Sequence, residues 1–270
     1  MAVELAKVSL WLATLSEGKP LSFYDHRLRC GNSLIGASLN NLEMIPDAAL
    51  PKEFQKENKE YHKILESYKK GQLTIEESIE YQQHLIAPLR HRIDFQKPED
   101  TVEDVKKKEE LLENDWREGS ALSKLKKVCD LWCSVWFWPE DSKLKAPSSR
   151  EFRELNKFII YDKSDLSKDK IENYLKISSN VAKEHKFFHW EVEFPEIFLT
   201  EEGKIRENKG FSVTLGNPPW DMVKENLDEF FSNYDSNFRS YDRQEKVKVM
   251  DKLLTDKNIS DVFTHYQNNF

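Results

Sequence analysis

The residues with the clearest chemical potential are Asn217-Pro218-Pro219-Trp220. They follow residues 211–215, where apolar and polar side chains alternate with the period of a half-buried strand. Two consecutive prolines fix two φ angles and remove two backbone N–H donors, so the turn offers carbonyl acceptors in a stiff frame. The Asn217 side chain adds an oxygen acceptor, and the Trp220 indole offers a flat face for stacking. Acceptors beside an aromatic plane suit the exocyclic amine of a nucleobase.

This Asn-Pro-Pro-Trp sequence after a hydrophobic strand resembles the signature of the amino-methylating DNA methyltransferases. The resemblance implies that Asn217 and the Pro218 carbonyl accept hydrogen bonds from the N6 amine of adenine, with Pro219 completing the rigid turn. The amine would then attack the methyl group of S-adenosylmethionine. Trp220 would stack on an adenine flipped out of double-stranded DNA. The alternative is an ordinary proline turn after a strand.

Two further stretches resemble the large type IIG restriction-modification methylases, which act in restriction or phage defence. The first consists of the run at residues 1–15, residues 18–23, Asp25-His26 and residues 29–36, Arg-Cys-Gly-Asn-Ser-Leu-Ile-Gly. The second is residues 188–198, Phe-His-Trp-Glu-Val-Glu-Phe-Pro-Glu-Ile-Phe. We call residues 29–36 the Asn32 block and residues 188–198 the Trp190 block. The resemblance implies that Asn32, in place of the commoner Asp, contacts the adenine of the cofactor. An ordinary turn after a short strand at residues 28–30 remains the alternative.

The resemblance predicts an α/β fold, a partial Rossmann-like methyltransferase sheet with a large helical insertion. We expect three segments: residues 1–38 on the cofactor side, the helical insertion at residues 39–186, and the methylation-motif segment at residues 187–270. The sequence has only eight glycines and no strand followed by a glycine-rich turn. We therefore expect a fragment that lacks N-terminal and target-recognition parts, binds S-adenosylmethionine weakly and is inactive when isolated.

Helical spacing of apolar residues dominates the expected insertion. Residues 54–68 and 75–96 predict a helical hairpin, with a stop at Lys70-Gly71 and a break before Pro88. Residues 98–116, 122–136 and 167–183 predict further helices, and Ser148 with Glu151 predicts a capping box for another. The tryptophans at positions 132, 136 and 138 are expected in the core rather than on a base-stacking surface.

Composition and charge limit the other functions. A net charge of −7 argues against a self-sufficient DNA-binding module, and no run is long and apolar enough to span a membrane. Three cysteines without a Cys-x-x-Cys pair suggest reduced thiols, so we expect a cytoplasmic protein. His185 and His189 have zinc-ligand spacing but lack the accompanying Glu, so no metal site is predicted.

The sequence leaves open the activity of the chain and the structure that follows the motif. The chain could be a catalytically inactive helical remnant that acts only by associating with another protein. Alternatively, the same pocket could methylate the N4 amine of cytosine. The aromatic residues after the motif could form a loop over the flipped base or a surface helix with part-buried rings. They are Phe230, Phe231, Tyr234, Phe238 and Tyr241. Residues 244–254 predict a final helix.

Overall fold

The computed structural model describes residues 2–15, 17, 19–42, 44–67, 84–200, 206–207, 210–216, 227–235 and 237–268. The contacts divide the chain into two compact units, Met1–Ser212 and Val213–Phe270. Each unit is built from α-helices.

The first unit contains nine helices among its described residues. In chain order they are α1 (Ala2–Thr14), α2 (Lys52–Ser67), α3 (Ile86–Asp94), α4 (Val102–Trp116), α5 (Ala121–Ser134), α6 (Ser149–Tyr161), α7 (Lys168–His185), α8 (Trp190–Glu193) and α9 (Pro195–Phe198). The described residues of the second unit form α10 (Leu227–Ser232), α11 (Arg243–Leu253) and α12 (Lys257–Asn268).

The central helix of the first unit is α5, which packs against α4, α6, α7 and α8. Its side chains at positions 122, 125, 128 and 129 are fully buried, at the three- and four-residue intervals that align one face of a helix. Full burial of one such leucine contributes about 1.5–3 kcal/mol relative to exposure. The face of α5 therefore organises the core that extends from Ala37 to Leu199.

Local sequence signals determine where several helices begin. The Ser148 hydroxyl accepts from the Glu151 backbone N–H while the Glu151 carboxylate accepts from the Ser148 N–H, so the expected capping box of α6 is confirmed. Thr101 with Asp104 forms the same arrangement at α4. The helices expected at residues 54–68, 98–116, 122–136, 167–183 and 244–254 are confirmed as α2, α4, α5, α7 and α11, with α4 beginning four residues later than expected.

Only part of the helical hairpin expected at residues 54–68 and 75–96 lies among the described residues. The expected stop at Lys70-Gly71 lies outside the described residues. Pro88 lies in the first turn of α3, so this helix begins two residues before the proline. A proline in the first turn lacks a backbone N–H that would have no intrahelical partner anyway, so it is tolerated there.

The tryptophans of residues 132–138 differ in their environments. Trp132 and Trp138 are half-buried and donate their indole N–H groups to the Met44 and Leu144 carbonyls. The Trp136 side chain is 46% exposed. Core packing is therefore confirmed for two of the three.

The expected α/β fold with a partial Rossmann-like sheet is wrong for the described part of the chain. No strand occurs there, and Asn32 and Phe187 form only an isolated parallel bridge. Residues 211–216 lack regular structure, and the Val213 and Leu215 side chains are 81% and 97% exposed. Alternation had predicted a half-buried strand, but within the described part of the chain residues 211–216 pair with no strand. Phe211 contacts other aromatic rings, whereas Val213 and Leu215 are exposed. Residues 28–30 are likewise not a strand.

The described part of the second unit has its own small aromatic core. Phe230, Phe231, Phe238 and Phe263 are buried together, and the Phe231 and Phe238 rings lie 5.2 Å apart. An Asp242–Glu245 capping box begins α11. The arrangement agrees with the expectation of a helix and turn carrying buried aromatic rings rather than with a loop free to close over a base.

Candidate functional site

The Asn32 block and the Trp190 block lie side by side in the first unit. The Asn32 N–H donates to the Lys186 carbonyl at 2.7 Å, and the Phe188 N–H donates to the Ile35 carbonyl at 2.8 Å. The two stretches are more than 150 residues apart in the sequence. The fold therefore brings together the two stretches that carried the sequence resemblance, although no regular sheet joins them.

Gly36 makes this close approach possible. A Cβ atom at Gly36 would lie 2.1 Å from the Phe188 carbonyl oxygen, well inside van der Waals contact. A Cβ at Gly31 would lie 2.6 Å from the Phe188 ring. The two glycines of the Asn32 block thus allow the backbones to lie against each other.

His189 connects the Trp190 block to both the Asn32 block and α5. Its Nδ1 accepts from the Ala37 backbone N–H at 3.0 Å, so its Nε2 carries the proton and donates to Asp130 at 2.9 Å. The His189 side chain is fully buried. Burial raises the pKa of Asp130, but the hydrogen bond from His189 and the charge of Lys126 outweigh burial and hold that pKa below its usual value.

Glu191 fixes the chain that leaves the Asn32 block. Its two carboxylate oxygens accept from the Ser38 hydroxyl at 3.0 Å and from the Leu39 backbone N–H at 2.7 Å. Both interactions are charge-assisted, which makes them stronger than neutral hydrogen bonds. The segment after Asn32 is therefore held at two successive residues by one buried carboxylate.

Asn32 itself is half-buried, and its side-chain Oδ1 accepts from the Leu34 N–H at 3.2 Å. This contact is an Asx turn, which stabilises the tip of the block locally. The Asn32 Nδ2 donors take no part in this turn. The turn interpretation holds as local structure, and the cofactor role of Asn32 stays a prediction.

A cleft of about 620 Å³ lies beside the Asn32 block. Arg27, Arg29 and Arg92 contribute positive charge to its wall, and Glu196 contributes the opposite charge. Its aromatic wall consists of Phe188, Trp190, Phe194 and Phe211. A cleft of this size accommodates a small organic ligand.

Two buried polar side chains hold the arginine-rich wall in place. Arg92 is 1% exposed and donates to the backbone carbonyls of His26 and Glu193 at 3.3 and 3.2 Å. Arg29 donates to the Glu193 carboxylate at 2.6 Å, and its guanidinium lies 4.6 Å from the centre of the Trp116 ring. These contacts attach the Trp190 block to α3 and α4.

The expected catalytic residues Asn217, Pro218, Pro219 and Trp220 lie outside the described residues. The segment before them is described to Gly216, where a Cβ would meet nothing within 4 Å. Their catalytic role remains a prediction from the sequence.

Sequence reasoning missed the polar contacts that organise this region. It weighed His189 only as a zinc ligand beside His185, whereas both His189 ring nitrogens are occupied by Ala37 and Asp130, and His185 packs against Phe137. It did not single out Arg92. The residue types of the Trp190 block signalled polar contacts, but the partners lie on segments distant in the sequence and have no signal in the local pattern.

A comparison with known protein families agrees with the resemblance seen in the sequence motifs. A family model described as Eco57I restriction-modification methylase matches residues 1–251. The chain therefore belongs to the Eco57I restriction-modification methylase family, a family of DNA methyltransferases from restriction-modification systems. Neither a curated protein nor a solved structure matches it. Among the described residues, no helix has the length and apolar character needed to cross a membrane.

Proposed function

We propose that this protein transfers a methyl group from S-adenosylmethionine to the N6 amine of adenine in double-stranded DNA, within a type IIG restriction-modification or phage-defence system. The main support for the proposal is that the sequence Asn217-Pro218-Pro219-Trp220 occurs in a chain of this methylase family. The family supports methylation of DNA, and the motif supports an exocyclic amine as the acceptor.

The chemistry of the motif explains the choice of acceptor. Asn217 Oδ1 and the Pro218 carbonyl accept hydrogen bonds from the two amine hydrogens, which places the nitrogen lone pair toward the methyl donor. Pro219 has no N–H, so the turn presents no donor that would compete for these acceptors. Trp220 stacks on the flipped base and holds its plane.

The bond changes balance without a further reactant. A nitrogen–carbon bond forms, the carbon–sulfur bond of the methyl donor breaks, and one amine proton leaves to solvent. S-adenosylmethionine supplies an activated methyl group. In this proposal the chain orients the amine and stabilises the positive charge that develops on nitrogen, because two oxygen acceptors face it.

Asn32 fits one contact to the methyl donor. Because its Oδ1 is held by the Leu34 N–H, the Nδ2 donors can hydrogen-bond a ring nitrogen of the cofactor adenine. The sequence shows no predicted strand followed by a glycine-rich turn, the element that would bind the rest of S-adenosylmethionine. We therefore expect weak binding of S-adenosylmethionine by this chain alone.

The proposal is tested by incorporation of tritiated methyl groups into DNA. The wild-type chain, Asn217→Ala and the matched control Asn233→Ala are each assayed alone and with the product of the neighbouring coding sequence. Together with that product, we expect labelling by wild type and Asn233→Ala and its loss in Asn217→Ala, whereas each chain alone should give little or no labelling. Equal labelling by Asn217→Ala, or no labelling by any preparation, contradicts the proposed activity and favours an inactive remnant.

A further inference from the structure

One peptide group of the Asn32 block orients the Asn32 side chain. This group joins Ser33 to Leu34, and its N–H donates to Asn32 Oδ1 at 3.2 Å. The carbonyl of the same peptide group accepts the indole N–H of Trp190 at 3.1 Å. A trans peptide group is planar, so its N–H and C=O point in opposite directions and turn together. The indole of Trp190 therefore fixes the orientation of the N–H that holds the Asn32 carboxamide.

The backbone of Asn32 is fixed independently of Trp190. The Asn32 N–H donates to the Lys186 carbonyl at 2.7 Å, and the Asn32 carbonyl accepts from the Ile35 N–H at 3.1 Å. With both backbone groups bonded, rotation of the side chain is the main freedom left to Asn32. The contact of Oδ1 with the Leu34 N–H restricts this rotation and leaves Nδ2 as the end of the carboxamide outside the turn.

Trp190 is itself held in place by its surroundings. The residues before and after it make the hydrogen bonds to residues 37–39 described above. Its ring lies edge-on against Phe188, with the ring centres 4.9 Å apart, and 5.5 Å from the ring of Phe211. The Trp190 side chain is 38% exposed, so a smaller aromatic ring can replace it without opening the hydrophobic core. Packing thus holds the ring, whereas the indole N–H makes the contact with the Asn32 block.

The three groups form a chain of hydrogen bonds that runs from the indole to the Asn32 carboxamide. Each amide in such a chain polarises the next one, so the N–H groups at its end become stronger donors. An N–H donor suits a ring nitrogen of adenine, whereas a carboxamide oxygen would suit an exocyclic amine. The contact with Trp190 therefore favours Asn32 as a donor rather than an acceptor.

We propose that Trp190 is a positioning residue for the methyl donor. It holds Asn32 Oδ1 in the turn, so that Nδ2 is the group that bonds the adenine of S-adenosylmethionine. Trp190 acts through the peptide between Ser33 and Leu34 rather than by contact with this adenine. The inference rests on the cofactor contact of Asn32 in the proposed function and adds the residue that sets the polarity of that contact.

The chain of hydrogen bonds can be tested without a cofactor in the 270-residue protein. Trp190→Phe keeps an aromatic ring at this position and removes the indole N–H. We expect the amide hydrogen of Leu34 to exchange with solvent at least about threefold faster in this variant, as measured by NMR. Trp136→Phe is the matched control, because Trp136 is 46% exposed, and it should leave this exchange rate unchanged.

Binding of S-adenosylhomocysteine tests whether the effect of Trp190 passes through Asn32. The ligand is titrated by calorimetry into the protein combined with the product of the neighbouring coding sequence. Trp190→Phe should weaken binding about three- to tenfold, Asn32→Ala should weaken it about tenfold, and Trp136→Phe should bind as the wild type does. In the Asn32→Ala background, Trp190→Phe should cause no further loss, because the side chain that it positions is absent.

Asn32→Asp tests the polarity of the contact in the same titration. The variant keeps an oxygen that accepts from the Leu34 N–H but replaces Nδ2 by a second acceptor. We therefore expect S-adenosylhomocysteine to bind about tenfold more weakly than to the wild type. Binding as tight as that of the wild type would show that an oxygen contacts the adenine, which overturns the proposal.

Methylation kinetics separate positioning from a general loss of structure. Trp190→Phe should raise the KM for S-adenosylmethionine about three- to tenfold and leave kcat and the KM for DNA unchanged, because it affects only cofactor binding. A lower kcat with an unchanged KM for S-adenosylmethionine contradicts the proposal. So does an equal loss of binding from Trp190→Phe in the wild-type and Asn32→Ala backgrounds.

The outcomes distinguish this inference from the proposed function. If the wild type methylates DNA and Trp190→Phe binds S-adenosylhomocysteine normally, only the role of Trp190 is overturned. If binding depends on Trp190 but the wild type methylates no DNA, only the proposed activity is overturned. Absence of S-adenosylhomocysteine binding by every preparation overturns the role of Trp190 together with the cofactor contact of Asn32.

Discussion

His189 and Asp130 are 59 residues apart in the sequence, yet the His189 Nε2 lies 2.9 Å from the Asp130 carboxylate. The other ring nitrogen accepts from the Ala37 backbone N–H, so one imidazole joins three segments. Because the His189 side chain and Ala37 are both buried, removal of the ring leaves the Ala37 N–H without its hydrogen-bond acceptor.

Replacement of His189 by Ala should therefore destabilise the protein. The change leaves the Ala37 N–H without its partner, leaves the Asp130 carboxylate with Lys126 alone and opens a cavity, so we expect a loss of about 2–4 kcal/mol in the free energy of unfolding. Urea titration followed by circular dichroism measures it. The exposed Asn180→Ala on α7 is the control and should change the free energy by less than about 0.5 kcal/mol. A His189→Ala variant as stable as this control would show that the three-segment contact is dispensable.

Gly36→Ala should lower the stability of the protein because there is no room for the added Cβ atom. The backbone conformation of Gly36 is not the cause. The new Cβ would lie 2.1 Å from the Phe188 carbonyl oxygen, so the two blocks must move apart, and we expect a loss of at least about 2 kcal/mol. Gly216→Ala is the matched control because nothing lies within 4 Å of its Cβ position. Thermal unfolding compares the two. Equal melting temperatures would contradict the close contact between the blocks.

The absence of a strand at residues 211–215 also has a measurable consequence. Leu215 is 97% exposed, so Leu215→Ser should change the free energy of unfolding by less than about 0.5 kcal/mol. Leu125→Ser, at a fully buried position of α5, should cost about 3 kcal/mol or more. If Leu215→Ser lowered the free energy of unfolding as much as Leu125→Ser, the result would support a buried strand at residues 211–215.

His26 should make stability depend on pH. Its folded pKa of about 3 lies below the unfolded value of about 6.5, so the unfolded state binds more protons between these limits. Stability from neutral His26 is therefore complete above about pH 6.5 and falls as the pH is lowered toward 3, by on the order of 1 kcal/mol per pH unit. His26→Gln, which does not titrate, should lose less stability over this range. Parallel urea midpoints for both proteins from pH 7 to 4 would rule out this contribution.

The helices were predictable because their signals are local. Ser148 and Glu151 are three residues apart, and the apolar residues of α5 recur at intervals of three and four residues. The interactions that start α6 and that align one face of α5 therefore lie within short stretches of the sequence. The packing of the two blocks was not predicted. Its causes, such as the contact of His189 with Asp130, join residues that are distant in the sequence.

The predicted strand failed for a related physical reason. Alternation at residues 211–215 specifies which side chains share a face, but a strand forms only when a neighbouring chain completes its backbone hydrogen bonds. No strand partner pairs with these residues in the described part of the chain. The cleft was also missed, because an unpaired Arg92 Nε arises from tertiary geometry and has no signature in the order of residues.

The most direct measurement of the central claim is mass spectrometry of nucleosides from DNA incubated with S-adenosylmethionine and the protein, together with the product of its neighbouring coding sequence. We predict N6-methyl-2′-deoxyadenosine with wild-type protein and at least about 100-fold less with Asn217→Ala, because the variant loses one of two acceptors on the reacting amine. N6-methyladenine formed equally by both proteins, or methylation found only on cytosine, would contradict the account.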